Sequence, residues 1–125
     1  PAGVLPAICP STTASATPVN KAVMALKGGN AVVIASSQAG AVTTARTVEL
    51  MREQLKRIGL PEDLVQILPQ PVSKESTQAL MEAADLVVCT GSQDNVRRAY
   101  RSGTPAIGVG AGNVPVIVDE TARLP

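Results

Sequence analysis

The sequence has no His, no Phe, no Trp and a single Tyr, and its two cysteines, Cys9 and Cys89, stand eighty positions apart. Without imidazole, neither a Ser-His nor a Cys-His dyad can be assembled from this chain, and the cysteines are too few and too far apart for a zinc site. Without aromatic rings there is no platform on which bases stack, and 11 Lys and Arg against 10 Asp and Glu leave a formal charge of only +1. That combination excludes sequence-independent nucleic-acid binding, which needs a basic face. No apolar run approaches the ~20 residues of a membrane span, and the first residues lack a charged stretch leading into an apolar one. The expectation is a soluble, cytoplasmic setting, with no membrane and no nucleic-acid partner.

What remains is enough for a core. The 125 residues are 45% apolar and 17% charged, which is the composition of a chain that folds, and the length suits one domain. The interior must be built from Val, Ile, Leu, Ala and Met, which suits closely packed helix and sheet layers. Beginning Pro1-Ala2-Gly3 without Met and ending just after an apolar run, the chain reads as an excerpt of a longer polypeptide, with residues 1–125 in one domain.

Apolar, β-branched runs alternate with stretches of helical period, the pattern of parallel strands joined by crossover helices. Strands are expected at Gly3–Ile8, Ala31–Ala35, Leu64–Leu68, Leu86–Cys89, Ala106–Val109 and Val116–Val118. Pro18 fits a first helical turn, and Val19, Ala22, Val23 and Leu26 mark one face of a helix that Gly28-Gly29 stops. Val42, Ala45, Val48, Met51, Leu55 and Ile58 recur every three or four residues, which predicts a helix from Ala41 to Ile58 with Gly59 as its left-handed stop. Ser73 with Ser76 introduces a helix through Ala84, and Thr90-Gly91-Ser92 turns the chain into a helix over Gln93–Arg101. The fold class is therefore α/β, a doubly wound, Rossmann-like parallel sheet.

The chemistry must use groups other than His. A strand leading through Gly91-Ser92 directly into a helix sets amide hydrogens and the positive end of the helix dipole at one spot, which is the physics of phosphate binding. Ser92 as a plain N-cap, with Asn95 completing the turn and Asp94 satisfying the dipole, is the other meaning of the same residues. Gly108-Val109-Gly110-Ala111-Gly112 departs from a dinucleotide fingerprint, because a strand rather than a helix is expected to follow it. Close backbone approach explains its glycines as well. Ser11–Thr17 places hydroxyls at the end of the first strand, either to meet a ligand or as a solvated loop. Cys9 and Cys89 have no cation beside them in sequence to lower their pKa and are expected to be buried structural thiols. Arg97, Arg98 and Arg101 are expected on a solvated face or an interface.

In order along the whole chain, these landmarks resemble the aldehyde dehydrogenase superfamily, in its coenzyme-A-acylating branch. The resemblance is carried by Gly3-Val4-Leu5-Pro6-Ala7-Ile8 with Pro10-Ser11-Thr12, by Thr17-Pro18-Val19-Asn20-Lys21 through Asn30, by Thr90-Gly91-Ser92, and above all by Arg101-Ser102-Gly103-Thr104-Pro105 through Asn113-Val114-Pro115. It implies a dinucleotide-binding domain of aldehyde dehydrogenase type, incomplete here, with Ser36, Gly91, Ser92 and Gly110 as contacts to NAD or NADP. Hydrolytic members carry a Glu general base where Val109 and its glycine neighbours stand. A valine takes no proton, so the implied acyl acceptor is a thiol, coenzyme A. Ala35 stands where hydrolytic members have a ribose-touching Lys, which leaves the choice between NAD and NADP open. Acylating relatives read Thr-Asn-Pro where this chain has Thr12-Thr13-Ala14, so Thr12 and Thr13 are the implied contacts to substrate or oxyanion, with a hydroxyl replacing amide donors. The family's nucleophilic Cys would fall after Pro125, which makes the excerpt inactive alone. The implied partners are a small aldehyde, polar or anionic such as sulfoacetaldehyde, the rest of the parent chain, and further copies in a homo-oligomer. A non-catalytic nucleotide-binding module is the alternative function, and a purely structural α/β domain the third.

Overall fold

The computed structural model describes residues 1–110, 112 and 114–123. Five strands, β1 (Val4–Ile8), β2 (Ala31–Ala35), β3 (Val65–Ile67), β4 (Val87–Thr90) and β5 (Ala106–Val109), form one sheet in the order β3-β2-β1-β4-β5. Every pairing in it is parallel. Four helices make the crossovers: α1 (Ala16–Lys27), α2 (Ala41–Arg57), α3 (Lys74–Glu82) and α4 (Gln93–Arg101). The chain builds outward from β1 to β3, then returns to the other side of β1 to lay down β4 and β5. The order therefore reverses between β1 and β4, the point at which open parallel sheets take ligands. Among the described residues, no helix is long and apolar enough to cross a membrane.

The two-residue period of the strands sorts their side chains between two cores. Leu5, Ala7, Val32, Ile34 and Val65 face α1 and α2, where Ala22, Ala25, Val48 and Leu55 meet them. Ile8, Ala35, Val87 and Cys89 face α3 and α4, against Met81, Val96 and Ala99. Alanines at the helix contacts let backbones approach closely, as a core without large rings requires. Gly108 does the same from the sheet: a Cβ there would sit 2.7 Å from Val96 Cγ1 and 3.1 Å from the Tyr100 ring.

Helix boundaries follow the expected chemistry. Ser73 and Ser76 form a reciprocal capping box at α3, and Ser92 caps α4 over the predicted span. Gly59 takes φ +77° directly after α2. The expected strand at Val116–Val118 is not formed. The segment is irregular and largely exposed, Ile117 at 94%. A strand there would need a neighbour, and at the sheet's edge the Tyr100 hydroxyl already accepts from the Gly108 N–H (3.1 Å) and donates to its C=O (3.4 Å).

Lys21 is an unexpected feature of the core. It is 8% exposed, and its Nζ crosses the seam where the strand order reverses, donating to Ile8 C=O (2.7 Å) on β1 and Val88 C=O (2.9 Å) on β4. Burial pulls its pKa below the usual lysine value. Cys9 and Cys89 lie nearby but belong to opposite faces of the sheet. Both are buried free thiols. Desolvation outweighs the Lys21 charge at each, raising Cys89 and pushing Cys9 from 9.0 up to about 11.

Two outcomes follow from this core. Ile34→Ala on β2, whose side chain is wholly buried, should cost about 2–5 kcal/mol in denaturant unfolding of the protein. Native Cys9 at pH 8 should react with a small disulfide reagent at least roughly 100-fold more slowly than in the unfolded chain. Its rate should keep climbing about tenfold per pH unit beyond pH 9, where an ordinary thiol levels off. The same shift links to stability. The folded thiol holds its proton longer, so its contribution is full below about pH 9 and is lost as pH rises through about 11.

Candidate cofactor site

A cavity of about 310 Å³ opens at the carboxyl ends of β1, β2 and β4, where the strand order reverses. Its floor is Ile8, Cys9 and Ala35. One wall is the loop after β2, Ser36-Ser37-Gln38; the others are the start of α3, with Ser73, Lys74 and Thr77, and the first two turns of α4, with Ser92, Asn95 and Arg98. Two helix N-termini thus bound one space, and each presents the positive end of its dipole there. Lining residues include two cations and, among the described residues, no carboxylate.

Local geometry explains how the hydroxyls are set. Ser92 Oγ accepts from the Asn95 N–H (3.3 Å), and Ser36 Oγ, on a residue only 5% exposed, accepts from Gln70 Nε2 (2.9 Å). A serine held by an incoming donor keeps its own hydrogen to give. Capping and ligand donation are therefore compatible at Ser92. At Gly91 the N–H is committed to Val109 C=O (3.1 Å). What Gly91 offers is space: a Cβ added there would meet nothing nearer than Asn95 Nδ2 at 3.9 Å, so the missing side chain leaves the cradle open.

Ser36, Gly91 and Ser92 are brought together in this cavity. Gly110 does not line it. A Cβ on Gly110 would lie 2.9 Å from the end of the Gln93 side chain, beside the start of α4. Thr12 and Thr13 are exposed outside the lining, with Thr13 Oγ1 2.6 Å from Thr17 Oγ1. Ala111 and Asn113 lie outside the described residues. Arg98 departs from the expected solvated face: it lines the cavity, and its guanidinium donates to Lys74 C=O, while Arg97 and Arg101 are exposed. Lys74 and Arg98 were not legible as site residues. The one available signal was spacing, because Asn95 and Arg98 follow Ser92 at three-residue intervals along the same helix face.

The chain matches the model of the aldehyde dehydrogenase family over residues 1–125. It is 56% identical over 124 residues to the sulfoacetaldehyde dehydrogenase (acylating) of Cupriavidus necator, covering 99% of this chain and 25% of that protein. Among solved structures, the propionaldehyde dehydrogenase of Rhodopseudomonas palustris, with bound CoA and an acylated cysteine, superposes with a TM-score of 0.86 at 38% identity, covering 98% of this chain and 28% of that one. An engineered glycolyl-CoA reductase with bound NADP+ gives the same TM-score, identity and coverage. The chain thus spans about a quarter of the length of these relatives. With the family model matched from the first residue to the last and the same fold in relatives of known structure, this chain belongs to the aldehyde dehydrogenase family.

Proposed function

We propose that residues 1–125 are part of the dinucleotide-binding domain of an enzyme that oxidises a small aldehyde to its acyl-coenzyme A with NAD or NADP. The observation that carries it is the convergence of α3 and α4, by their N-termini, on one carboxylate-free cavity at the reversal of strand order. An anion such as a pyrophosphate fits there, because Gly91 leaves the cradle open and the Ser92 hydroxyl has its hydrogen to give. Ser36, which lines the cavity at the carboxyl end of β2, is the proposed contact to a ribose hydroxyl. Relatives described as acylating, and solved relatives holding CoA or NADP+, support the same assignment.

When bound, NAD(P) supplies the hydride acceptor and coenzyme A the thiol that takes the acyl group. The chain's own residues bind and orient; they do not perform the covalent step. Cys9 and Cys89 are buried with raised pKa values, the opposite of what a nucleophile needs. The acyl-bearing Cys therefore lies in the parent protein outside these 125 residues, with Thr12, Thr13 and Gly110 as the further proposed contacts of substrate and cofactor. Val109, which is exposed at the end of β5, cannot act as a base toward water. That fits release of the acyl group by a thiol, which ionises far more readily near neutral pH.

The full-length protein should form NAD(P)H from a small aldehyde in steady turnover only when coenzyme A is present, and the 125-residue chain should give none. Turnover without coenzyme A would reassign the enzyme as hydrolytic. Cofactor binding without any turnover would favour the non-catalytic module. Gly91→Val in the full-length protein should weaken NAD(P)H affinity at least about tenfold, measured by nicotinamide fluorescence, because the side chain fills the cradle. Unchanged affinity would move the pyrophosphate elsewhere.

A further inference from the structure

Charge is distributed unevenly over the helices. α2 carries Arg46, Glu49 and Glu53 on an exposed face, where they pair with one another in water. α1 has little of the kind. Of its 12 residues only Lys21 and Lys27 are charged, and Lys21 turns inward to the strand carbonyls. Val23 and Met24 are left 50% and 66% exposed. A helix with so few polar positions is suited to lie between two layers, and the sheet supplies one of them. Beside α2 a groove of about 360 Å³ runs between Val19, Val23 and Leu26 of α1 and Leu50, Gln54 and Ile58 of α2 and its C-cap. The two banks repeat at four-, three- and four-residue steps, so each is a helical ridge. Among the described residues, no charged side chain lines the groove, and Ile58 is 70% exposed at its end.

We infer that this groove seats an amphipathic helix from the remainder of the parent polypeptide, its aliphatic ridge laid lengthwise between the α1 and α2 banks. A helix fits because ridges of residues three and four apart pack into grooves of the same spacing. The contact face of the occupant is aliphatic and uncharged, since an ion brought against Val23 and Leu50 would lose its water and gain no partner. Size selects the source. From Leu50 to Ile58 the groove runs about two helical turns, roughly 12 Å, and its width is on the order of one helix diameter. That is several-fold below the ~800 Å² per partner that a stable complex of separate chains buries. A segment joined to this one through the chain needs far less area, because tethering holds it at a high effective concentration. Such a segment is available, because these residues cover only 25% and 28% of the two acylating relatives described above. The inference is independent of the cofactor assignment, as no residue lines both the groove and the cavity at the strand ends.

The test is photocrosslinking of the full-length protein, with a diazirine-bearing leucine analogue placed singly at position 23 or position 58, a change that keeps each bank aliphatic. Irradiation should give a product of single-chain mass, in which both positions join one segment outside residues 1–125 at sites spaced as on one face of a helix. A product of two-chain mass assigns the groove to a second copy, and insertion into water alone leaves it open; either result overturns the inference. Attachment to unrelated segments, or at every second residue of one segment, overturns it too. The same analogue at position 42 sets the background for water, because Val42 is 86% exposed on α2 and does not line the groove. In a second measurement, Ile58→Asp should lower the thermal midpoint of the full-length protein by at least about 4 °C, and Val42→Asp by no more than about 1 °C. Two equally small shifts count against the inference, since an aspartate is harmless only where water reaches it. Loss of NAD(P)H binding, by contrast, bears on the cavity at the strand ends and leaves these readings unaffected.

Discussion

The structure depends on one seam. Between β1 and β4 the sheet reverses its order, and the ladder there has only two register pairs, Ala7 with Val88 and Ile8 with Cys89, against five between β1 and β2. Lys21 crosses that seam from α1 and binds one carbonyl on each strand. A buried ammonium is costly, and its lowered pKa registers that cost, yet it satisfies two strand carbonyls at once. Beyond the bridge the strands end and the cavity opens. The distance between β1 and β4 at their carboxyl ends sets how α4, which leaves from β4, faces the loop that leaves β2. A lysine on α1 thus ties together the two strands at whose ends the site opens, without lining it.

That coupling explains which parts of the molecule could be read from the sequence. The two-residue alternation of Leu5, Ala7, Val32 and Ile34 and the three-to-four-residue recurrence on α2 are local signals, and they locate five strands and four helices closely. Cap chemistry is local as well: Ser73 reaches Ser76, and Ser92 reaches Asn95, three residues on. The site is not local. Ser36 meets Gln70 thirty-four positions away, and Arg98 meets Lys74 across twenty-four. Spacing sets Arg98 on the face of Ser92 and Asn95, but it gives no hint that the guanidinium meets Lys74 C=O on another helix. Lys21, by its type, reads as a surface residue of α1 and becomes a core residue only because two strand ends need a donor.

Val116–Val118 fails for a related reason. Its residues have high strand propensity, but a strand is a relation between two segments, and propensity alone supplies only one of them. The Tyr100 hydroxyl meets both polar groups of Gly108 at the edge, so the described chain offers no ladder there. Gly108 makes this arrangement possible, since any Cβ would drive α4 and the tyrosine ring away from β5. Within the glycine-rich stretch, Gly108 marks a place where a helix sits tightly on a strand.

Net charge conceals the electrostatics that matter. The chain is nearly neutral because 11 Lys and Arg almost balance 10 Asp and Glu, and several of these pair where they are exposed: Arg46 with Glu49 and Glu53 on α2, and Arg52 with Glu62 and Asp63 beside it. Those pairs contribute little to stability in water, but they use up carboxylates far from the cavity. At the ends of β1, β2 and β4 the balance is local and positive: two cations, two helix N-termini and serine hydroxyls held by incoming donors, with no acid lining the space. The buried thiol at the floor adds no opposing charge, because desolvation keeps Cys9 protonated through neutral pH. An anionic ligand entering there meets a field assembled in advance, in which Lys74 is shared with the exposed carboxylate of Asp94.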